Sequence, residues 1–283
     1  MSINAFKRNV WAAHLLTELQ NNLVSQVFVN HNHEGLVPGA KSVTINTLGK
    51  ITVKDYDGSD IVFEELSTAD QTLLLDYQKY FGFEVKDVDA AQVANSGDLM
   101  VKAMQSSAYE LADDRDAKNF NALVEGAGVT IGSVEEPIKV TTSAEAKALL
   151  LKLREAATKA NVPKTGRRVA VSPEFQTALL SDNTLQMATS TSNDVLKVGY
   201  IGTLFGLEIY ETNNMPRDTV NNLDYAVLSH PDFMTEASQI DEMEAGRREA
   251  NFSDYVKGLQ VSGRKVTVPQ GVIKAIVNYQ VGE

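Results

Sequence analysis

Between Lys41 and Glu65 the chain alternates. Val43, Ile45, Ile51 and Val53 fall on odd positions, with Thr47 and Gly49 between them. This is the period-two pattern of extended chain with one apolar face. Asp57-Gly58 supplies turn chemistry and Ile61-Val62-Phe63 begins a return. Arms of about a dozen residues reach about 40 Å at about 3.3 Å per residue. A ribbon of that length cannot fold back wholly on its own small core. The most economical surface to receive it is a second copy of the same chain. Its charges are sorted, with Lys41, Lys50 and Lys54 on the outgoing arm and Asp55, Asp57, Asp60, Glu64 and Glu65 on the turn and return. Cross-strand pairing within the ribbon and docking on a neighbour both fit that arrangement. Lys50, Lys54, Asp55 and Asp57 are therefore the candidate subunit-contact residues.

With 283 residues, 43% of them hydrophobic and 22% charged, the chain can bury a substantial core as one large domain or two small ones. No apolar run approaches the eighteen or so residues of a membrane span, and Met1 to Arg8 lacks the apolar core of a signal peptide. The absence of cysteine excludes disulfides, thiolate nucleophiles and thiolate metal sites. A net charge of −11 argues against gripping nucleic-acid phosphates through the average surface. If the chain associates with itself, local pairing or apolar burial must offset that self-repulsion.

Taken in order, residues 8 to 25 carry a helical stripe of Val10, Trp11, Leu15, Leu19 and Leu23. The irregular connector from Val27 to Gly39 completes what reads as an arm outside the compact core. After the ribbon, Phe81, Phe83 and Val85 alternate within a strongly apolar stretch, which predicts a strand central to its sheet. Asp98 to Glu125 is the longest helical pattern, with Leu99, Met100, Ala103, Met104, Ala108, Leu111, Ala112, Phe120 and Leu123 on one face and Gly126 and Gly128 as terminators. A helix of that length beside a sheet gives an elongated α+β body.

Thr142-Ser143-Ala144-Glu145 is a capping box opening a helix with Ala148, Leu149, Leu151, Leu153 and Ala156. Arg168 to Val171 is a short strand, and Ser172-Pro173 opens another helix. Leu207 to Tyr210 and Tyr225 to Leu228 are strands around the loop Asn213-Asn214-Met215-Pro216. Together they predict a compact α/β lobe from roughly 135 to 240, followed by a polar piece from Gln239 to Asn251. A last strand, Gly271 to Tyr279, is expected to rejoin the sheet of residues 70 to 89, making the lobe an insertion.

No constellation adds up to an active site, and no cofactor is expected. His31, His33 and Glu34 lack a third ligand at regular spacing. His14 and His230 have no neighbouring nucleophile. Asp55, Asp57 and Asp60 miss the spacing of a calcium loop. Asp113, Asp114 and Asp116 could serve a metal-dependent hydrolase, but a charged outer helix face explains them with less. Gly126 to Gly132 follows a helix, not a strand, and lacks the closing Lys-Ser or Lys-Thr of a phosphate loop. Lys164, Arg167 and Arg168 form the one dense basic cluster, which reads as a solvated loop.

The order of parts resembles the Hong Kong 97 phage fold. Val43 to Thr47, Ile51 to Tyr56, Glu64 to Leu73, Gly97 to Met100, and Gly199 to Gly202 through Gly206 to Pro216 look like passages of the major capsid proteins of tailed bacteriophages. The similarity covers nearly the whole chain, and its force lies in the number and order of matches. The resemblance implies an N-arm (residues 1–40), an extended loop (41–67), a peripheral domain with a spine helix (68–134, completed by 255–283) and an inserted axial domain (135–254). It implies self-assembly as pentamers and hexamers into an icosahedral head around genomic DNA, without sequence-specific binding and without enzymatic activity. A portal and, since the chain begins at the arm, a separate scaffolding protein are the implied partners. The implied location is the virion, after assembly in the host cytoplasm. The alternatives are an encapsulin-type compartment shell and, from another class, the hydrolase using Asp113, Asp114 and Asp116.

Overall fold

The computed structural model describes residues 24–32, 41–48, 53, 55–56, 63, 68–87, 96–180 and 199–279. The predicted stripe from Val10 to Leu23 and the Asp57-Gly58 turn lie outside them.

Three sheets and one long helix organise these residues. The first sheet is a two-stranded ribbon of β1 (Ser42–Leu48) and β2 (Thr68–Leu74), antiparallel with Ser42 opposite Leu74 and Leu48 opposite Thr68. The alternation of Val43 and Ile45 does mark a one-sided strand: both are buried and Thr44 is exposed. Its partner is β2, whose register with β1 is symmetric about residue 58, as expected of a return that follows the Asp57-Gly58 turn, and whose end with the next residue, Leu73-Leu74-Leu75, alternates buried, exposed, buried.

β3 (Tyr77–Lys86) follows at once, and the long helix then spans Ser96–Glu125. At about 1.5 Å per residue, its 30 residues make a rod of about 45 Å. Past the helix come the short strands β4 (Val129–Ile131) and β5 (Ile138–Lys139). The helix Ser143–Lys159 opens with the anticipated capping box: Thr142 accepts from the Glu145 amide and Glu145 reaches back to the Thr142 amide. Its buried face uses Leu149, Leu150 and Leu153, while Leu151 is exposed. β6 (Arg168–Val171), the helix Pro173–Leu180, β7 (Tyr200–Leu204), β8 (Leu207–Glu211), β9 (Arg217–Asp218) and β10 (Leu223–Ser229) lead to two long strands, β11 (Met234–Arg247) and β12 (Ser253–Val266), and finally β13 (Ile273–Asn278).

The eight-stranded sheet runs β4-β13-β10-β6-β8-β7, with β5 beside β13 and β9 beside β10. Alternate side chains of its central strands bury opposite faces. Val169, Val171, Ala226, Leu228, Ile209 and Ala275 pack under the helices of Leu149 to Leu153 and Phe175 to Leu179. Ala170, Val227 and Tyr210 pack on the other face against Phe120, Leu123 and Phe28. The three-stranded sheet, in order β11-β12-β3, is antiparallel throughout. It meets the N-terminal half of the long helix, where Phe81 and Phe83 pack on Met104, Ala108, Leu111 and Ala112.

Four expectations are corrected here. β13 exists, but it pairs with β10, β4 and β5 in the eight-stranded sheet and not with the sheet of residues 70 to 89. The strand that joins β3 is β12. β3 is an edge strand, because among the described residues it is hydrogen-bonded on one side only, to β12; its Phe81 and Phe83 pack on the long helix, and Tyr80 is 82% exposed. The polar piece after Gln239 is the body of the long strand β11, kept in the sheet by its ladder with β12 across an irregularity between Ile240 and Glu242. Lastly, the described start of the connector enters the core at Phe28 and Val29. Ser25–Phe28 form a 3-10 turn, with Ser25 and Phe28 fully buried between the long helix and the eight-stranded sheet.

Candidate assembly interface

The ribbon of β1 and β2 is anchored at its base, and the chain between its two strands carries exposed apolar side chains. The ribbon base lies on the three-stranded sheet. Val43, Ile45, Leu73 and Leu75 pack against Ala237 and Val261. Backbone meets backbone at Gly263, where a β-carbon would stand 2.1 Å from the Leu74 carbonyl oxygen, so no other residue fits without moving the ribbon. Lys265 Nζ donates to the Thr72 carbonyl at 3.0 Å and Gln71 Nε2 to the Thr267 carbonyl at 3.2 Å. From Leu74 to Gln71 the ribbon therefore advances along β12 from Gly263 toward Thr267.

In the sequence between β1 and β2, Val53, Tyr56 and Phe63 are 94%, 76% and 89% exposed. Three large apolar side chains in water within one short stretch of chain are the mark of a surface that expects a partner. Among the candidate contact residues, Asp55 is exposed. Lys50, Lys54 and Asp57 lie outside the described residues. The sorted charges drew attention on the sequence. The apolar trio had an equal claim, because Val53, Tyr56 and Phe63 interrupt a run of charges.

The anchor continues inward to a buried polar hub at the middle of the long helix. The apolar stripe 108, 111, 112, 120 and 123 is completed in register by Arg115, Asp116 and Asn119, all buried. Asp116 Oδ2 accepts from the Val24 amide at 3.0 Å, and Oδ1 accepts from the Ser25 amide at 3.0 Å and the Ser25 hydroxyl at 2.7 Å. Asn119 Nδ2 donates to Ser25 Oγ and to Glu236 Oε2, both at 2.9 Å. Arg115 Nε meets Glu236 Oε1 at 2.6 Å. Burial, opposed by the donors on Ser25 and Val24 and assisted by the Glu236 charge, pushes the Asp116 carboxyl up to about 6.

This geometry corrects the reading of Asp113, Asp114 and Asp116 as a charged outer face at Asp116 only, since Asp113 is exposed and Asp114 half-buried. Asp116 points inward, Asp113 accepts from Asn214 Nδ2 at 2.8 Å, and Asp114 accepts from the Tyr77 hydroxyl with Lys79 Nζ at 3.7 Å. Burial and the Asp114 contact raise the Tyr77 phenol well above its ordinary range. The three carboxylates serve three different neighbours and do not converge on one ion. In the basic cluster Lys164 is exposed as expected, but the two arginines are not solvated loop residues. Buried Arg167 donates to the carbonyls of Pro163 and Val162 and to Thr158 Oγ1. Arg168 Nε meets Glu208 at 2.9 Å and its Nη1 donates to the Val27 carbonyl. His230 accepts from the Asp232 amide as the cap of a short 3-10 turn. No helix among the described residues is long and apolar enough to cross a membrane.

Comparison with known proteins agrees with this picture. The family model described as phage capsid protein matches residues 71–275. A structure from Mycobacterium phage Che8 is 30% identical, with 91% of each chain covered and a TM-score of 0.69. The capsid structure of cyanophage P-SCSP1u is 13% identical, covering 92% of this chain and 89% of that one, with a TM-score of 0.65. A virus-like particle from Pyrococcus furiosus is 12% identical, covering 95% and 99%, with a TM-score of 0.57. No curated protein matches the chain.

Fold and surface together define a shell subunit with the Hong Kong 97-like capsid architecture. The chain belongs to the phage capsid protein family. It is a structural major capsid protein of a tailed bacteriophage, a component of the virion that assembles with copies of itself. The encapsulin and hydrolase alternatives are not favoured.

Proposed function

We propose that the chain forms pentamers and hexamers that close into an icosahedral head around phage genomic DNA, assembled in the host cytoplasm with a separate scaffolding protein and a portal. Its role is structural, not catalytic. The observation that carries this reading is the ribbon: firmly seated at its base, it presents Val53, Tyr56 and Phe63 to solvent. In a lone molecule such a projection invites non-specific association; in a shell it is a subunit contact. Lys50, Lys54, Asp55 and Asp57 flank that contact and bias which neighbour surface it meets. The net charge of −11 suits a wall that holds DNA without gripping its phosphates.

The division into N-arm, extended loop, peripheral domain and axial domain is part of the same proposal, with two boundaries moved. The pairing of β2 with β1 favours ending the extended loop near Leu75 instead of residue 67, and the pairing of β13 favours giving the last strand to the axial sheet. The test replaces residues 49–67 by a two-residue Asn-Gly turn, keeping the base strands. The expected product is a folded subunit that no longer forms shells in electron micrographs, alone or with a scaffold. Normal shells from that variant would overturn the role of the ribbon.

A further inference from the structure

Glycine weakens the middle of a strand, so each one there calls for a reason. Among the described residues the three-stranded sheet holds four, and three have a reason inside the subunit. A β-carbon at Gly263 would meet the Leu74 carbonyl oxygen at 2.1 Å, one at Gly258 the Phe81 ring at 2.4 Å, and one at Gly246 the Tyr255 hydroxyl at 3.1 Å. Gly82 of β3 is different. Its backbone is not left-handed and its ladder with β12 runs through without a bulge. An added β-carbon would meet no described atom nearer than the Lys257 β-carbon, at 3.8 Å, which is ordinary contact. What the missing side chain leaves is an open cleft of about 330 Å³, with Glu84 and Arg248 at one end and Tyr255 and Lys257 on the neighbouring strand. Lys257 and Val261 fall on the same side of β12, so the cleft opens on the face that also carries the ribbon base. Its walls are fixed. Arg248 pairs with Glu84, Lys257 Nζ meets Glu244 at 2.7 Å, and the Tyr255 hydroxyl donates to Glu244 at 2.8 Å. A strand glycine with no use at home marks a place where something else approaches closely.

We propose that the Gly82 cleft receives the side chain of Tyr56 from the ribbon of a second copy of the chain. This rests on the reading of the ribbon as a subunit contact and adds the surface that receives it. Chain length selects the second copy. The ribbon leaves Gly263 toward Thr267, whereas the cleft at Lys257 lies the other way along β12, about 20 Å from Gly263 at about 3.3 Å per residue. By the same measure the ribbon strands end, at Leu48 and Thr68, about 20 Å past Gly263 on the opposite side. From Leu48, Tyr56 reaches no more than about 29 Å, and from Thr68, Phe63 reaches no more than about 18 Å, against roughly 40 Å to the cleft of the same subunit. The ribbon therefore cannot fill its own cleft. Donor and receptor are different patches at opposite ends of one sheet, so the contact is head to tail and repeats from copy to copy, as ring assembly requires. The chemistry selects tyrosine over Phe63. Its ring can lie against the Tyr255 ring and the aliphatic stem of Lys257, while its hydroxyl meets the ionic rim of Glu84 and Arg248. Asp55, next to it in the chain, brings a carboxylate to a rim that carries Arg248 and Lys257.

The test uses the full-length chain, which has no cysteine of its own. The double variant Tyr56→Cys, Gly82→Cys is treated with a short bis-maleimide during assembly. A denaturing gel should show a ladder of covalent multimers, which neither single variant gives. Cross-linking confined to single subunits, or none at all, would overturn the proposal. A second measurement fills the cleft with Gly82→Leu. Because a β-carbon fits there, urea unfolding should find the subunit at least as stable as the wild type, while shell yield in electron micrographs falls at least ~10-fold. Normal shells from Gly82→Leu would overturn the proposal but leave the ribbon's role in assembly standing. That role fails separately, and the proposal with it, if shells form normally when residues 49–67 are replaced by a turn.

Discussion

Replacing Phe28 by alanine tests whether a segment that the sequence presents as a loose connector is in fact core. The ring is fully buried. Removing a buried phenylalanine side chain costs about 3–5 kcal/mol, through lost transfer free energy and the cavity left behind. The edge-on contacts with Phe120 and Tyr210, at interplanar angles of 69° and 73°, place the variant toward the upper part of that range. The walls of the pocket are the long helix and a buried sheet face, neither of which can collapse easily into the void. Since a folded domain is stable by roughly 5–15 kcal/mol, the loss is a large share of the whole. The assay is urea unfolding of the unassembled subunit, with Phe63→Ala as the matched control. The control makes the same chemical change at an 89% exposed position, so it should alter subunit stability by no more than about 0.5 kcal/mol while impairing shell formation. A loss under about 1 kcal/mol at Phe28, or equal losses at both positions, would refute the reasoning.

Four further outcomes follow from other parts of the molecule. Gly263→Val should displace the ribbon base from β12 and destabilise the subunit by about 1–3 kcal/mol, measured by the same unfolding assay, because the new β-carbon meets backbone and not a flexible side chain. Thr142→Ala should cost about 1 kcal/mol through the lost cap. Glu145, held down to about 2 by the Thr141 and Thr142 amides and the Thr141 hydroxyl, should stabilise the fold above the ordinary glutamate range, with that contribution disappearing as pH falls through its lowered midpoint in acid titrations of stability. The double variant Asp113→Asn, Asp114→Asn should still form shells in electron micrographs, since these carboxylates meet separate local partners; loss of shells would assign them a role in assembly.

Local patterns were legible in the sequence where one side chain type repeats against one surface. The long helix showed its apolar stripe, Thr142 to Glu145 showed a cap whose partners are three residues apart, and Val43 with Ile45 showed a strand with one wet face. Pairing partners were not legible, because a strand such as Ile273–Asn278 is equally apolar whichever sheet receives it. The strands β11 and β12 escaped because they bury polar side chains, Thr235, Glu236, Gln260 and Ser262 among them, so no apolar alternation marks them, and ladder bonds leave no trace in side-chain type. The hub was readable in principle. Arg115, Asp116 and Asn119 occupy the next turns of the stripe begun by Ala108, Leu111 and Ala112, so polar residues in apolar register announced a buried network. For the ribbon, charge sorting was visible at once, whereas the weight of Val53, Tyr56 and Phe63 emerged only from their exposure.

A density map of the assembled shell, resolved well enough to trace side chains, measures the central claim directly. Tyr56 and Phe63 of each subunit should be buried against a neighbouring subunit while Val43, Ile45 and Leu73 stay on the subunit's own three-stranded sheet. A shell in which both aromatic side chains remain in solvent, or fold back onto their own chain, would contradict it.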